Sequence, residues 1–518
     1  MSSQIEVKRR DFLKLVGTLP LLKLAGSTLM ENVEQGSNAP NVLVLVFDAL
    51  SARNVSLYGY PRVTTPNFER LAAISTIFHR HYAAGSFTSP GTASILTGTY
   101  PWSHRAFHLY GTAMEGFEER NIFHIFNGSP YTRMTFTHND LASMLLYQFG
   151  QDVELHKKTK ELCLFNEYLL SEGVFEKDHN AVFPGERTIT RGQRGQDLQL
   201  PSSLFLSALH RIWRSKGKGD ILAEYRDRFP RGLPSTNAGP FVYLLEDAID
   251  WVQQAILTQE GPFFAYFHFL PPHEPYNTRR EFINIFRDGW APVQKPQHHF
   301  SEGHTDESLN VKRREYDEYV AYVDAEFGRL VDFMDAHGML QNTYLILTSD
   351  HGEMFERGIL EHITPTLYEP ITRVPLLIHS PGQTTRREVQ ANTSCVDLLP
   401  TICYFIGKKA PEWSEGQVLP PFSESGIDPD RSVFTLDAKS NPKKAPLRKG
   451  TISMVKGNSK LIYYFGHDGY DNQFELYDLE NDPEELENLY NTNGSLAKDL
   501  REELLSKLQE VNRPYLSN

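Results

Sequence analysis

The 518-residue chain has only three cysteines, Cys163, Cys395 and Cys403. They are too few and too scattered for a disulfide framework or a Cys-x-x-Cys metal motif. Cys395 and Cys403 fall in an apolar stretch and read as small core residues, so cysteine usage leaves the compartment open. Basic residues are also short: 52 Lys and Arg stand against 65 Asp and Glu, a formal net charge of −13. That balance excludes non-specific nucleic-acid binding, which needs a basic surface. No run approaches the ~18 uninterrupted apolar residues of a membrane helix, so no transmembrane span is expected. Internal repeats are lacking as well. With 40 % hydrophobic and 23 % charged residues, the composition is that of a globular protein, long enough for about three domains.

The N-terminus carries more information. VKRRDFLKLVGTLPLLKLAG places Arg9 and Arg10 before a short apolar run. This resembles a twin-arginine export signal, a receptor-read address that would send a folded protein to a periplasmic or extracytoplasmic compartment. Lys23 and the lack of an Ala-x-Ala site fit a basic amphipathic helix instead, and then a cytoplasmic protein. Residues 1–40 are read as this segment plus the polar linker ENVEQGSNAP.

NVLVLVFDAL (41–50) then begins a different grammar. A β-branched and apolar run without alternation is how a strand buried on both faces of a parallel sheet reads. It ends at Asp48. GPFFAYFHFLPPHEPY (261–276) ends in His273, NTYLILTSDHGE (342–353) ends in Asp350-His351-Gly352-Glu353, and VPLLIHSPG (374–382) is a further strand. Between them, 66–75, 242–257 and 316–338 repeat apolar residues at three- and four-residue spacing and are predicted helices. Strands alternating with helices imply an α/β fold with a central, mostly parallel sheet flanked by helices, whose ligands sit beyond the carboxyl ends of the strands.

Residues 145–240 break the pattern and read as an insertion, with Arg187, Arg191 and Arg194 in a Gly-rich context. They suit a solvated loop or a lid that meets an anion. From about 425 a hairpin at Gly457-Asn458-Ser459, a strand in FELYDLEND and a helix over 495–511 predict a smaller C-terminal α+β subdomain of antiparallel strands. The organisation is therefore 1–40, a catalytic domain over 41–424, and 425–518.

Asp48 and Asp350 offer hard oxygens and His351 an imidazole, a set suited to a divalent metal: Mn, Zn or, with more carboxylates, Ca. GSFTSPGTASILTG (85–98) supplies hydroxyls. Pro90 fits the first turn of a helix, with Ser89 as its N-cap and Gly98 past its end. Thr88 then lies just before a helix N-terminus, where negative charge is favoured, and is the best-placed nucleophile and further metal ligand. Ser94 and Thr97 read as structural. His268 reads as a core residue within its strand, Asp324 as structural, and His104 as lining the site or capping a turn.

Taken together, NVLVLVFDA, LYGYPRVTTPNFERLA, TSPGTASILTGTYP, HFLPPHEPY, TSDHGE…EH, RVPLLIHSPG and FELYDLENDPEELENL resemble the sulfatase family of the alkaline phosphatase superfamily, in the family's order. The resemblance implies a metal-dependent ester hydrolase acting through a covalent intermediate, with His273 or His362 assisting the leaving alcohol. His138 in FTHND is a weaker match to substrate-side positions. Two departures stand out. Where the family has Cys-x-Pro-x-Arg or Ser-x-Pro-x-Arg, this chain has Thr88, Ser89, Pro90, Gly91 and Thr92, so formylglycine chemistry is not expected. Where sulfatases tend to pair aspartates, Ala49 follows Asp48. The remaining set resembles the single-metal site of lipoteichoic acid synthases and phosphoethanolamine transferases, which use a threonine.

A phosphothreonine can be opened by in-line attack of water, whereas a sulfothreonine has no easy exit. Phosphate or phosphonate esters are therefore favoured over sulfate, on an anionic substrate such as a glycan or lipid. Two rivals are transfer of the group to a glycan or lipid alcohol, and a non-catalytic exported anion- or glycan-binding homologue.

Overall fold

The computed structural model describes residues 39–516 apart from 167–169, 171–174, 180, 184, 187–211, 213–220, 237–240, 424–427 and 429. Arg9 and Arg10 of the export-like segment, and Arg187, Arg191 and Arg194 of the insertion, lie outside the described residues.

Eight strands make the central sheet: β1 (Asn41–Phe47), β2 (Thr76–Tyr82), β3 (Thr132–Thr137), β4 (Leu155–Lys157), β5 (Phe263–Phe269), β6 (Thr343–Thr348), β7 (Leu376–His379) and β8 (Arg387–Ser394). Their spatial order is β8-β2-β7-β6-β1-β5-β3-β4. The run β6-β1-β5-β3-β4 is parallel, as expected. The strand expected at 374–382 departs from it: β7 is antiparallel to both β6 and β2. β2, β3 and β8 escape the sequence pattern because TIFHRHY, TRMTFT and REVQANTS mix polar and apolar side chains.

β1 shows why its sequence has no alternation. Val42, Val44 and Val46 enter one apolar core, while Leu43, Leu45 and Phe47 enter another on the opposite face. Each fully buried side chain of this size contributes about 1.5–3 kcal/mol, so a polar residue is disfavoured on either face until the strand ends. The second core is closed by α1 (Pro66–Ala72), α4 (Leu245–Leu257) and α5 (Asp306–Ala336). The first is closed by α2 (Thr88–Thr97), α3 (Asp140–Gln148) and α6 (Leu398–Phe405). α5 starts ten residues before the predicted 316. Its first turns are polar and carry no apolar period, but Thr305 caps them by accepting from the Ser308 N–H at 3.3 Å, with Asp306 and Glu307 in the first turn. α4 starts at Leu245 rather than 242, because Phe241 and Val242 pair with Phe165 and Asn166 as a short ladder.

The C-terminal part is an antiparallel meander of β9 (Ser432–Asp437), β10 (Gly450–Lys456), β11 (Ser459–Phe465) and β12 (Gln473–Asp478). β10 and β11 turn at Gly457-Asn458, where Gly457 adopts φ +55°. The α7 helix (Gly494–Asn512) covers it with Ala497, Leu500 and Leu504. Phe434 of β9 meets Trp102 edge-on with ring centres 5.4 Å apart. The subdomain thus shares its core with the α2 face of the main sheet.

Candidate active site

Four neighbouring strands, β6, β1, β5 and β3, end side by side, and each delivers polar side chains there. Asp48 follows β1 and is held by its N–H donating to the Phe269 carbonyl at 3.0 Å. Ala49 then takes φ +58°, turning the chain sharply, and its carbonyl accepts from the Tyr316 hydroxyl at 2.6 Å. Asp350 and His351 follow β6. His351 Nδ1 donates to the Gly352 carbonyl at 2.9 Å, which aims Nε2 into the site. Gly352 is required here, since a Cβ would lie 2.0 Å from the Pro370 carbonyl oxygen.

The hydroxyl-rich stretch forms α2, but the helix begins two residues earlier than its sequence suggests. Thr88 is its first residue and Phe87, extended at φ −156° and ψ 175°, is its N-cap; Ser89 is not the cap. The reason is that the Gly91 N–H already reaches the Phe87 carbonyl at 3.1 Å, which extends the first turn. Thr88 therefore stands in the first turn itself, among N–H groups with no helical acceptor. Its Oγ1 lies 3.4 Å from His351 Nε2. Ser94 and Thr97 are structural: Ser94 Oγ meets His104 Nε2 at 3.0 Å, and Thr97 Oγ1 donates to the Ala93 carbonyl at 2.7 Å. His104 caps its turn, with Nδ1 accepting from the Ala106 N–H at 3.0 Å.

Asp48, Asp350 and His351, all fully buried, each place a ligand atom within 4.8 Å of the others. His351 Nε2 is 3.2 Å from Asp48 Oδ1 and 3.6 Å from Asp350 Oδ2. Yet Asp48 Oδ1 accepts no aligned hydrogen bond. Their ligand atoms thus share one small buried space. Burial alone would raise Asp48, but His268 and His351 hold it well below the usual carboxylate range. Asp350 is raised, first by burial and then by the charge of Asp48. For His351, burial lowers the pKa, but the two carboxylates outweigh it and lift it to about 9. Two buried carboxylates thus demand a cation. A divalent ion would meet that demand and leave the imidazole neutral as a ligand, so the donor set fits one.

Two residues of the site were not singled out in the sequence. His268, expected in the core, is buried but turned into the site, with Nε2 3.1 Å from Asp48 Oδ2. In the middle of an apolar strand it looks like any core histidine, and only its place one residue before the strand end hinted otherwise. Asn139, next to His138, is the N-cap of α3 and also donates from Nδ2 to Asp48 Oδ2 and, at 3.3 Å, to Thr88 Oγ1. His138 itself stacks on Tyr243 with ring centres 3.9 Å apart. Asp324 is structural: it accepts from the Asn67 and Phe68 N–H groups at the start of α1.

His273 and His362 stand together beside the triplet, with ring centres 4.8 Å apart; His362 and His351 are 4.2 Å apart. His273 Nδ1 donates to the Glu274 carbonyl at 2.9 Å, leaving Nε2 for a ligand. His362 Nδ1 lies 2.9 Å from Glu353 Oε1. Burial and the neighbouring His351 and His273 push His362 well below the usual histidine range, so it is neutral at pH 7. Both histidines and Asn139 border a cleft of about 170 Å³ whose apolar wall includes Leu109, Leu141 and Leu270.

A sequence model of the sulfatase family matches residues 40–151 and 234–407, and one described as N-sulphoglucosamine sulphohydrolase, C-terminal, matches 364–513. This chain belongs to the sulfatase family. Among its relatives, a choline-sulfatase of Rhizobium meliloti is 25 % identical over 478 residues, covering 87 % of this chain and 82 % of that one. An N-acetylglucosamine-6-O-sulfatase of Bacteroides thetaiotaomicron is 24 % identical over 545 residues, covering 96 % and 91 %. Among solved structures, a phosphonate monoester hydrolase of Agrobacterium radiobacter superposes with a TM-score of 0.64 at 21 % identity, covering 92 % of this chain and 96 % of that one. At that identity the likeness shows the shared fold alone. As a sulfatase-family member the protein is an ester hydrolase of the alkaline phosphatase superfamily. No helix among its described residues is long and apolar enough to cross a membrane.

Proposed function

We propose that this sulfatase-family protein hydrolyses phosphate or phosphonate esters in preference to sulfate esters, using Thr88 as nucleophile. One observation carries the reading: the Thr88 hydroxyl, at the start of the buried helix α2, lies 3.4 Å from His351 Nε2 and shares the Asn139 amide with Asp48, where the family's formylglycine precursor would be.

A divalent ion held by Asp48, Asp350 and His351 supplies Lewis acidity that lowers the pKa of a nearby hydroxyl and neutralises an anionic ester. The chain's own residues do the rest. Asn139 Nδ2 holds Thr88 Oγ1 in place, and the first-turn N–H groups of α2 stabilise charge on the transferred group. Thr88 Oγ1, its proton lost to solvent before the substrate binds, attacks phosphorus opposite the leaving alcohol. His273, which lines the cleft with Nε2 available, protonates that alcohol as its bond to phosphorus breaks. His362, neutral and paired with Glu353, holds its neighbours in place. Water then attacks phosphorus in line, giving a proton back to His273, and the P–O bond to Thr88 breaks to free its oxygen. A sulfated threonine would lack this route at comparable ease, and it has no geminal hydroxyl through which sulfate could be eliminated.

Matched aryl phosphate, phosphonate and sulfate esters, turned over with Mn or Zn supplied, test the reading. Phosphoryl or phosphonyl turnover that falls by roughly 10³-fold or more in Thr88→Ala, and survives in Ser89→Ala, is expected. Sulfate turnover that persists in Thr88→Ala would overturn it.

A further inference from the structure

We propose that His268 is a fourth protein ligand of the metal, making the centre a two-aspartate, two-histidine site that selects Zn or Mn over Ca. The proposal rests on the metal reading above and adds a ligand that neither the family resemblance nor the DHGE motif supplies.

The two imidazoles approach opposite oxygens of Asp48 and the same oxygen of Asp350. His351 Nε2 lies 3.2 Å from Asp48 Oδ1 and 3.6 Å from Asp350 Oδ2. His268 Nε2 lies 3.1 Å from Asp48 Oδ2 and 3.8 Å from Asp350 Oδ2. Ligand atoms about 2.0–2.2 Å from one first-row ion sit roughly 3 to 4 Å from each other, so each ring has ligand spacing from both carboxylates. All four side chains are fully buried.

The far side of the His268 ring is also arranged for ligation. Nδ1 faces the Tyr266 hydroxyl at 3.4 Å and Thr92 Oγ1 at 3.5 Å. Either oxygen can accept the Nδ1 proton, which leaves the Nε2 lone pair for a metal, the usual outer partnership of a ligating histidine. Thr92 also donates to Asp350 Oδ2 at 3.4 Å and so ties two ligands together. Thr92 occupies the place of the family's arginine.

The position compensates for a loss. With Ala49 in place of a second aspartate, β1 provides one carboxylate. The adjacent strand β5 provides an imidazole from the register pair of Val46. Exchanging oxygen for nitrogen changes the ion the site prefers, since Ca takes six to eight oxygens whereas imidazole suits Zn and other first-row ions.

The test uses the full-length protein loaded with cobalt(II), alongside equilibrium binding of Zn, Mn and Ca. Each ligating imidazole gives one strongly shifted exchangeable N–H resonance in the cobalt proton spectrum. The wild type is expected to bind one equivalent and show two such resonances. His268→Gln and His268→Ala should show one, and bind Zn more than about 100-fold more weakly, beyond the range of outer-shell losses. Gln preserves volume, so a folded variant is available if Ala fails to fold. One resonance in the wild type, or two retained in His268→Gln, would overturn the fourth ligand while leaving metal binding intact. A wild type that binds none of the metals would overturn the metal reading itself, and tighter binding of Ca than of Zn would overturn the selectivity.

Discussion

Asn139 serves two structures with one side chain. Its Oδ1 accepts from the Leu141 and Ala142 N–H groups at 2.6 and 3.1 Å, capping α3, while Nδ2 donates to Asp48 and Thr88. The two roles separate by mutation. Asn139→Ala removes both and should cost about 1 kcal/mol of stability, whereas Asn139→Ser keeps a capping oxygen but cannot reach the site. We expect Asn139→Ser to melt close to wild type yet turn over roughly 10²-fold more slowly. Wild-type kinetics in Asn139→Ser would remove Asn139 from the mechanism. The residue also marks the limit of sequence reading. Asp48, Asp350 and His351 were legible because each interrupts a doubly buried apolar run at its end. Thr88 was legible because Pro90 and Gly98 bracket a helix. Asn139 and His268 were not, because a cap and a core histidine look the same wherever they point. Only the order β6-β1-β5-β3 aims them at one place, and that order is not written in any local pattern.

At the scale of elements, the site depends on how closely α2 packs on the end of β6. Gly91 is the contact: a Cβ there would come 2.2 Å from the Asp350 carbonyl oxygen. Gly91→Ala should therefore push the first turn of α2, and Thr88 with it, away from Asp350. Overpacking of this kind costs about 1–3 kcal/mol. A lower melting temperature together with a loss of turnover is expected, measured by thermal denaturation and kinetics. Gly494→Ala, at the start of α7 with no heavy atom within 4 Å of its added Cβ, is the matched control and should change neither. If Gly91→Ala matched this control, the close approach would not govern the site. The sheet's buried strands were readable from their apolar runs. The strands with mixed faces, and the antiparallel direction of β7, depend on neighbours hundreds of residues away.

The whole molecule carries a pH dependence of its own. His81, His104 and His138 are fully buried away from the metal triplet, and burial lowers each to about 3. The unfolded chain protonates them near pH 6.5, while the folded chain does not until far lower pH. Their contribution to stability is therefore complete above pH 6.5 and is lost as the pH falls toward 3. The loss is at most about 1.4 kcal/mol per histidine per pH unit below 6.5. The urea midpoint of the wild type relative to His104→Gln should be constant from pH 8 to 7 and fall between 6.5 and 5. A relative midpoint that rises over that interval would contradict the sign. His104→Gln, which can keep hydrogen bonds to Ser94 and Ala106, should flatten the slope.

The most direct test of the account is to quench the enzyme in acid during turnover of an aryl phosphonate and locate the adduct by peptide mass spectrometry. A phosphonyl group on Thr88, absent from Thr88→Ala, is the predicted result. An adduct on Ser86, Ser89 or a histidine, or turnover with no adduct that persists in Thr88→Ala, would contradict it.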